Sequence, residues 1–222
     1  MIKLETHCHI RGLSHCADGD DFLMLTKYKK AGYSGIVAVS HYSKDVCEKY
    51  YKGKTYKEKI DYFFKTYDDF SSLAKSYDIK TFCGAEVRLK KDGQEYMILG
   101  FDRKFLYDNE LYNLTQEELF KLAEKHGVFV YQTHPFRDGV LAGNPIYLHG
   151  AEGFNGHYHH DNHNEKAQKF CEDNNLISLS GTDYHHDDQP VTAGIYIPKE
   201  IQTDKQLVEF ILKNKFNIIA NM

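Results

Sequence analysis

Apolar runs in this chain keep ending in side chains that can bind metal, and that pattern constrains the fold more than any other feature. IKLET (2–6) leads into His7 and His9, and GIVAVS (35–40) into His41. KTFCGAEV (80–87) carries Glu86, VFVYQ (128–132) leads to His134, and LISLS (176–180) to Asp183 and His185. Alternation or short apolar composition marks these runs as strands, with further strands at 95–101, 151–154, 194–197 and 216–220. Helical spacing of apolar residues predicts helices over 20–31, 56–77, 115–126, 165–174 and 203–213, the third opened by the Thr115/Glu118 pair and stopped by Gly127. A turn at Lys91-Asp92-Gly93 predicts a hairpin. Strands alternating with helices give an α/β layout with a mostly parallel sheet. About seven such repeats point to a closed barrel, with an open doubly wound sheet as the alternative, and 222 residues fit one domain spanning 1–222.

In an α/β barrel the strand C-terminal ends build one shared site. His7 and His9 are two apart, as are Asp183 and His185, and on an extended chain such pairs face the same way. His15 lies on the loop beyond the first pair. Imidazole and carboxylate with no thiolate at these strand ends suit Zn²⁺, Mn²⁺ or Fe²⁺ in an open, hydrolytic site. A single HxH, or a single glutamate after a strand, is ordinary; five strand ends converging on one chemistry is not. Clustered cations lower the pKa of a shared water and clamp phosphoryl oxygens, so Glu86, His134, Asp183 and His185 are the expected catalytic residues.

Composition narrows the substrate. Charged residues make up 27% and the formal net charge is −4, which argues against long nucleic acid as a partner. The chain has 28 lysines and arginines, and only Arg11, Arg88, Arg103 and Arg137 are arginine. Three of these four fall within three residues of an expected ligand, and a guanidinium grips phosphate with two parallel hydrogen bonds. Arg11, Arg88 and Arg137 are therefore candidate phosphate-binding residues for a small phosphorylated substrate, and a salt bridge to a ligand carboxylate is the competing reading. Five cysteines without a CxxC pair argue against a disulfide framework and for a reducing cytoplasm. The start MIKLETHCH lacks a signal-peptide core, and no run has membrane-spanning length. The segment NGHYHHDNHN (155–164) reads as a solvated loop, with substrate contact or an adventitious metal as alternatives. His186 is either a general acid or directed away from the site.

In order along the chain, ETHCH (5–9), VSH (39–41), GAEV (84–87), QTHP (132–135), EGFN (152–155) and SGTDYH (180–185) resemble the PHP family, the polymerase and histidinol phosphatase domains. The resemblance implies a distorted (β/α)7 barrel and phosphoester hydrolysis with two or three divalent cations. It assigns one cation to His7, His9, Glu86 and Asp183, a second to His15, His41 and His185, and a third to Glu86 and His134. The family adds a further histidine to the third cation, either before an ILG-like run or after a GF-like one. This chain has Met97 at the first place and Asp102 at the second, and Asp102, the harder ligand, is the expected substitute. Two rivals stand beside this reading. One is a metal-dependent amidohydrolase, a class that usually bridges its metals with a lysine where this chain offers Glu86; the other is a non-catalytic metal-binding PHP domain.

Overall fold

The computed structural model describes residues 1–49, 51–213 and 215–221. Strands β1 (Ile2–His9), β2 (Tyr33–Ser43), β3 (Lys80–Arg88), β4 (Glu95–Leu99), β5 (Phe129–Gln132), β6 (Gly150–Asn155) and β7 (Ile177–Gly181) follow one another around a single sheet in the order β7-β6-β5-β4-β3-β2-β1, which continues through β8 (Ala193–Ile197) to β9 (Ile218–Ala220). Helices α1 (Asp21–Lys30), α2 (Lys44–Lys49), α3 (Tyr56–Lys75), α4 (Arg103–Asp108), α5 (Gln116–His126), α6 (Asn164–Asp173) and α7 (Asp204–Lys213) fill the connections. Thr55 with Glu58 and Thr115 with Glu118 form reciprocal capping boxes at α3 and α5, and Gly127, at φ 65°, ends α5 in the left-handed region.

β1 pairs with β2 at its whole length, with β8 at its base and with the continuation of β7 at its top. Tyr184 N donates to His7 O at 3.3 Å, His9 N donates to Tyr184 O at 3.1 Å, and Thr6 Oγ1 donates to Ser180 O at 2.7 Å. The sheet is thereby nearly closed into a barrel. Only half of its strand pairings are parallel, which corrects the expectation of a mostly parallel sheet: β4 runs antiparallel to both β3 and β5, and β8 and β9 pair antiparallel as well. The short turn after Arg88 is the cause, because a hairpin reverses the chain where a helical crossover would not.

Leu4, Val37, Val39, Phe82, Met97, Leu99, Phe129, Tyr131, Leu179 and Ile195 fill the barrel interior. Outside it, α1 and α3 pack on β1 and β2 through Met24, Leu25, Tyr28, Ile36, Ala38 and Phe70, and a larger cluster with Phe63, Phe64, Tyr96, Ile98 and Leu119 covers β3 to β5. The two short helices α2 and α4 follow no apolar period visible in the sequence. The apolar plug fills the lower barrel, so the strand tops carry the polar side chains.

Candidate metal centre

Strict alternation cannot place both Leu4 and His7 on one strand face, since they are three residues apart. The pairing of β1 with β2 slips between Glu5 and Cys8, and this bulge turns His7 and His9 inward above Leu4 while Cys8 packs outward beside Met24. Buried Glu5 fills the slip. Its Oε1 accepts from His7 N at 2.8 Å and from Thr182 N at 2.9 Å, and its Oε2 accepts from Tyr28 Oη at 2.8 Å. Burial pushes the Glu5 carboxyl up to about 7 against the lowering effect of these donors. It is thus a clip between the strand carrying His7 and the segment carrying Asp183.

Glu86 occupies the centre. Its Oε1 is 3.1 Å from His134 Nε2 and 3.4 Å from His7 Nε2; its Oε2 is 2.9 Å from His41 Nδ1 and 3.3 Å from His9 Nε2. Asp183 Oδ1 lies 3.3 Å from His7 Nε2 and 3.4 Å from His9 Nε2, and those two ring nitrogens face each other at 2.9 Å. Ligand atoms of His7, His9 and Asp183 lie within 4.8 Å of one another, as do those of His9, His41 and His185, of His41, Glu86 and Glu95, and of His157, Asp183 and His185. Ring nitrogens aimed at each other and at two buried carboxylates suit divalent cations with bonds of about 2.0–2.2 Å. The donor set therefore fits the implied metals.

Surrounding groups orient these ligands. Glu152, fully buried, accepts from His7 Nδ1 at 2.7 Å, His134 N at 2.8 Å and Asn155 Nδ2 at 2.9 Å, which turns the His7 Nε2 into the centre. Ser14 Oγ holds His9 Nδ1 at 2.8 Å. Asp183, at φ 53°, and His134, at φ 32°, both sit in left-handed backbone conformations that non-glycine residues avoid and that concentrate at functional sites.

Among the protein's own charges, burial pulls the His7 imidazole down but Glu152, Asp183 and Glu86 together outweigh it and hold it at about 10. Burial would raise Glu86, yet His7 and the hydrogen bonds of His134, His41 and His9 hold it well below the carboxylate range. Asp183 is likewise held down against burial by His7, Arg137 and His185. Burial and the neighbouring His9 push His185 down to about 2, leaving it a neutral donor of a lone pair.

The expected residues divide. His7, His9, His41, Glu86, His134, Asp183 and His185 converge. Asp102 does not: it is exposed, and its Oδ1 accepts from Phe105 N at 2.8 Å as the N-cap of α4, so its carboxylate is committed to a helix start. Glu95 takes the place expected of Asp102, with Oε2 3.5 Å from His134 Nε2. The hairpin register pairs Arg88 with Glu95 and Glu86 with Met97, so Glu95 belongs to the inward row two residues before Met97. Alternation from Met97 back to Glu95 was the available signal. His15 is exposed and falls in none of the four ligand sets among the described residues; the neighbouring Cys16 places its Sγ 3.1 Å from His41 Nε2.

The arginines also divide. Arg137 donates to Asp183 Oδ2 at 2.6 Å and to Asn155 Oδ1 and Asn162 Oδ1 at 2.7 Å each, so it is engaged by a ligand carboxylate, the competing reading given above. Arg11 is exposed and lines a groove with Tyr62, Lys65 and Thr66 of α3, apart from the cluster. Arg88, exposed at the end of β3, lines a cavity of about 330 Å³ with Ser43, Lys44 and Lys90, two residues beyond Glu86. A cavity of about 600 Å³ is lined by Asn155, His157, His160 and Asn162 among others, and by none of the seven converging residues.

No protein-family model matches the sequence, and no curated protein matches it. Solved structures do. A two-domain protein from Bacteroides vulgatus containing a predicted PHP-like metal-dependent phosphoesterase superposes with a TM-score of 0.68 at 16% identity, over 99% of this chain and 65% of that one. The chain has the fold of the PHP-like phosphoesterases. An amidohydrolase from Chromobacterium violaceum, solved with sulfate and without metal, gives 0.58 at 12% identity over 98% and 97% of the two chains. A lesion-specific endonuclease from Pyrococcus furiosus gives 0.58 at 11% identity over 98% of this chain and 57% of that one. The chain thus spans less than two thirds of the first and third of these proteins. No helix among the described residues is long and apolar enough to cross a membrane.

Proposed function

We propose that this chain is a metal-dependent hydrolase that cleaves a small phosphate ester, using two or three divalent cations of the Mn²⁺, Zn²⁺ or Fe²⁺ type. The observation that carries the reading is Glu86: one buried carboxylate within 3.4 Å of four ring nitrogens, two from β1, one from β2 and one from the segment after β5, the arrangement of a bridging ligand. Bound cations would supply an activated water near neutral pH and neutralise the phosphoryl oxygens. His7, His9, Glu86 and Asp183 would hold one, His41 and His185 a second, and His134, Glu86 and Glu95 a third.

The chain's own residues account for the rest. Glu152 fixes the His7 ring, Ser14 the His9 ring and Arg137 the Asp183 carboxylate, so the ligands are set before any cation arrives. Arg88, two residues beyond Glu86, would supply positive charge for an anionic substrate in a protein of net charge −4, in a cavity where Lys44 and Lys90 stand beside Asp45 and Glu48. The cytoplasm is the compartment we assign, since all five thiols are free of disulfides.

The test is a substrate panel on protein stripped with chelator and reloaded separately with Mn²⁺, Zn²⁺ and Fe²⁺. Turnover of phosphomonoesters or phosphodiesters with at least one metal, and none with chelator present, is expected. The fold shared with an amidohydrolase favours amides as the second reading; turnover confined to those substrates would replace the first. Full activity without any metal would end both.

A further inference from the structure

The histidine-rich segment 155–164 reads as a solvated loop in sequence, and the structure removes one of its histidines from solvent. His157 is 6% exposed, while His159, His160 and His163 stay at the surface. Its ring lies 5.5 Å from that of His185, and ligand atoms of His157, Asp183 and His185 fall within 4.8 Å of one another.

The position is built. His157 N donates to Asn155 Oδ1 at 3.0 Å, and Asn162 Nδ2 donates to the His157 carbonyl at 2.8 Å. Arg137 ties those two asparagines to Asp183, donating to all three side chains. One guanidinium therefore fixes both a ligand carboxylate and the loop that brings His157 over it. The backbone of His157 is thus held on both sides, which restricts where its ring can reach before binding.

We infer that His157 is a metal ligand, completing with His185 and Asp183 the coordination of a cation at the second position of the cluster. Tetrahedral ligands with bonds of about 2.1 Å stand roughly 3.4 Å apart, so a set whose atoms lie within 4.8 Å of one another closes by side-chain adjustments of about an ångström. Two imidazoles and one carboxylate favour Zn²⁺ or Fe²⁺ over Mg²⁺ or Ca²⁺. The assignment puts the ligand on the loop after β6, where the sequence resemblance put His15 on the loop after β1. It rests on the metal reading of the cluster and not on the reaction the cluster performs.

The test reads binding, not turnover. Metal-free wild type, His157→Asn, His157→Gln, His15→Asn and His160→Ala are titrated with Zn²⁺ by calorimetry, ions per chain are counted by elemental analysis, and Co²⁺ forms are compared by visible absorption. Circular dichroism and Tm of the metal-free proteins identify any variant that fails to fold; the other His157 substitution then decides. The inference predicts that His157→Asn and His157→Gln lose one ion or bind it at least about tenfold more weakly, with an altered Co²⁺ spectrum, while His160→Ala matches wild type. Unchanged ion count, affinity and spectrum in both His157 variants would overturn it, as would loss of that ion in His15→Asn alone. A wild type that binds no Zn²⁺ or Co²⁺ would instead overturn the metal reading itself. Metal binding lost with His157 in a protein that turns over no phosphoester would leave the inference standing and end the proposed reaction.

Discussion

A carboxylate facing four imidazoles has no stable substitute of the same shape. Glu86→Gln keeps the volume but removes the charge that the cations and the His7 imidazolium require. We expect metal affinity and kcat/KM each to fall by more than about 100-fold, read by calorimetry and steady-state kinetics, with the far-UV circular dichroism of the barrel retained. The arginines separate at the same scale. Arg137→Lys puts one ammonium where a guanidinium met three acceptors from two nitrogens. It should weaken metal binding by about tenfold through Asp183. Arg88→Lys keeps the charge, so KM should rise while kcat and ion content hold; an unchanged KM would remove Arg88 from the substrate site.

At the level of elements, the site depends on how closely β1 meets β7. A Cβ on Gly181 would stand 2.5 Å from His7 Cβ and 2.8 Å from Glu152 Oε1. His7 Cβ sits next to the backbone and the Glu152 carboxylate is held by three hydrogen bonds, so Gly181→Ala must move β1 away from the end of β7. Overpacking of this kind costs about 1–3 kcal/mol. We expect a lowered Tm by calorimetry together with weakened metal binding, because His7 lies on one of the strands being forced apart and Asp183 just beyond the end of the other. A variant with wild-type Tm and ion content would show that the barrel seam yields there. The hairpin between β3 and β4 acts in the same way on the other side of the centre: its register carries Glu95 inward and leaves Asp102 to cap α4.

For the whole molecule, cation binding is coupled to protons and to stability. His7 is held at about 10, so at pH 8 it is protonated in the metal-free protein and must lose a proton on binding. Affinity should rise as pH climbs toward 10 and fall on acidification, and calorimetry in two buffers of different ionisation enthalpy should register proton release. Metal at 100 times Kd contributes about 2.7 kcal/mol of stability, and a chain of this size gains about 2–4 °C in Tm per kcal/mol. A Tm rise of about 5–10 °C on adding Zn²⁺ or Mn²⁺ to the stripped protein is expected. No rise at saturating metal would show that the cluster binds none.

The sequence alone determined the order of the strands and longer helices, the α/β layout and seven side chains that converge at strand ends, because hydrophobic periodicity and strand ends are local properties of a chain and barrel topology gathers strand ends on one face. Tertiary structure decided what depends on register and on contacts across the chain. The bulge at Glu5 put His7 in phase with Leu4, and the reversal of β4 exchanged Asp102 for Glu95. Three acceptors brought together from β6, the loop after it and the segment after β7 engage Arg137, a candidate phosphate ligand in sequence, as a clamp. The same clamp drew His157 out of a run of polar residues that in sequence looks uniform. A one-residue slip in pairing sends a side chain to the opposite face of a sheet, and nothing local in the chain records which way it goes.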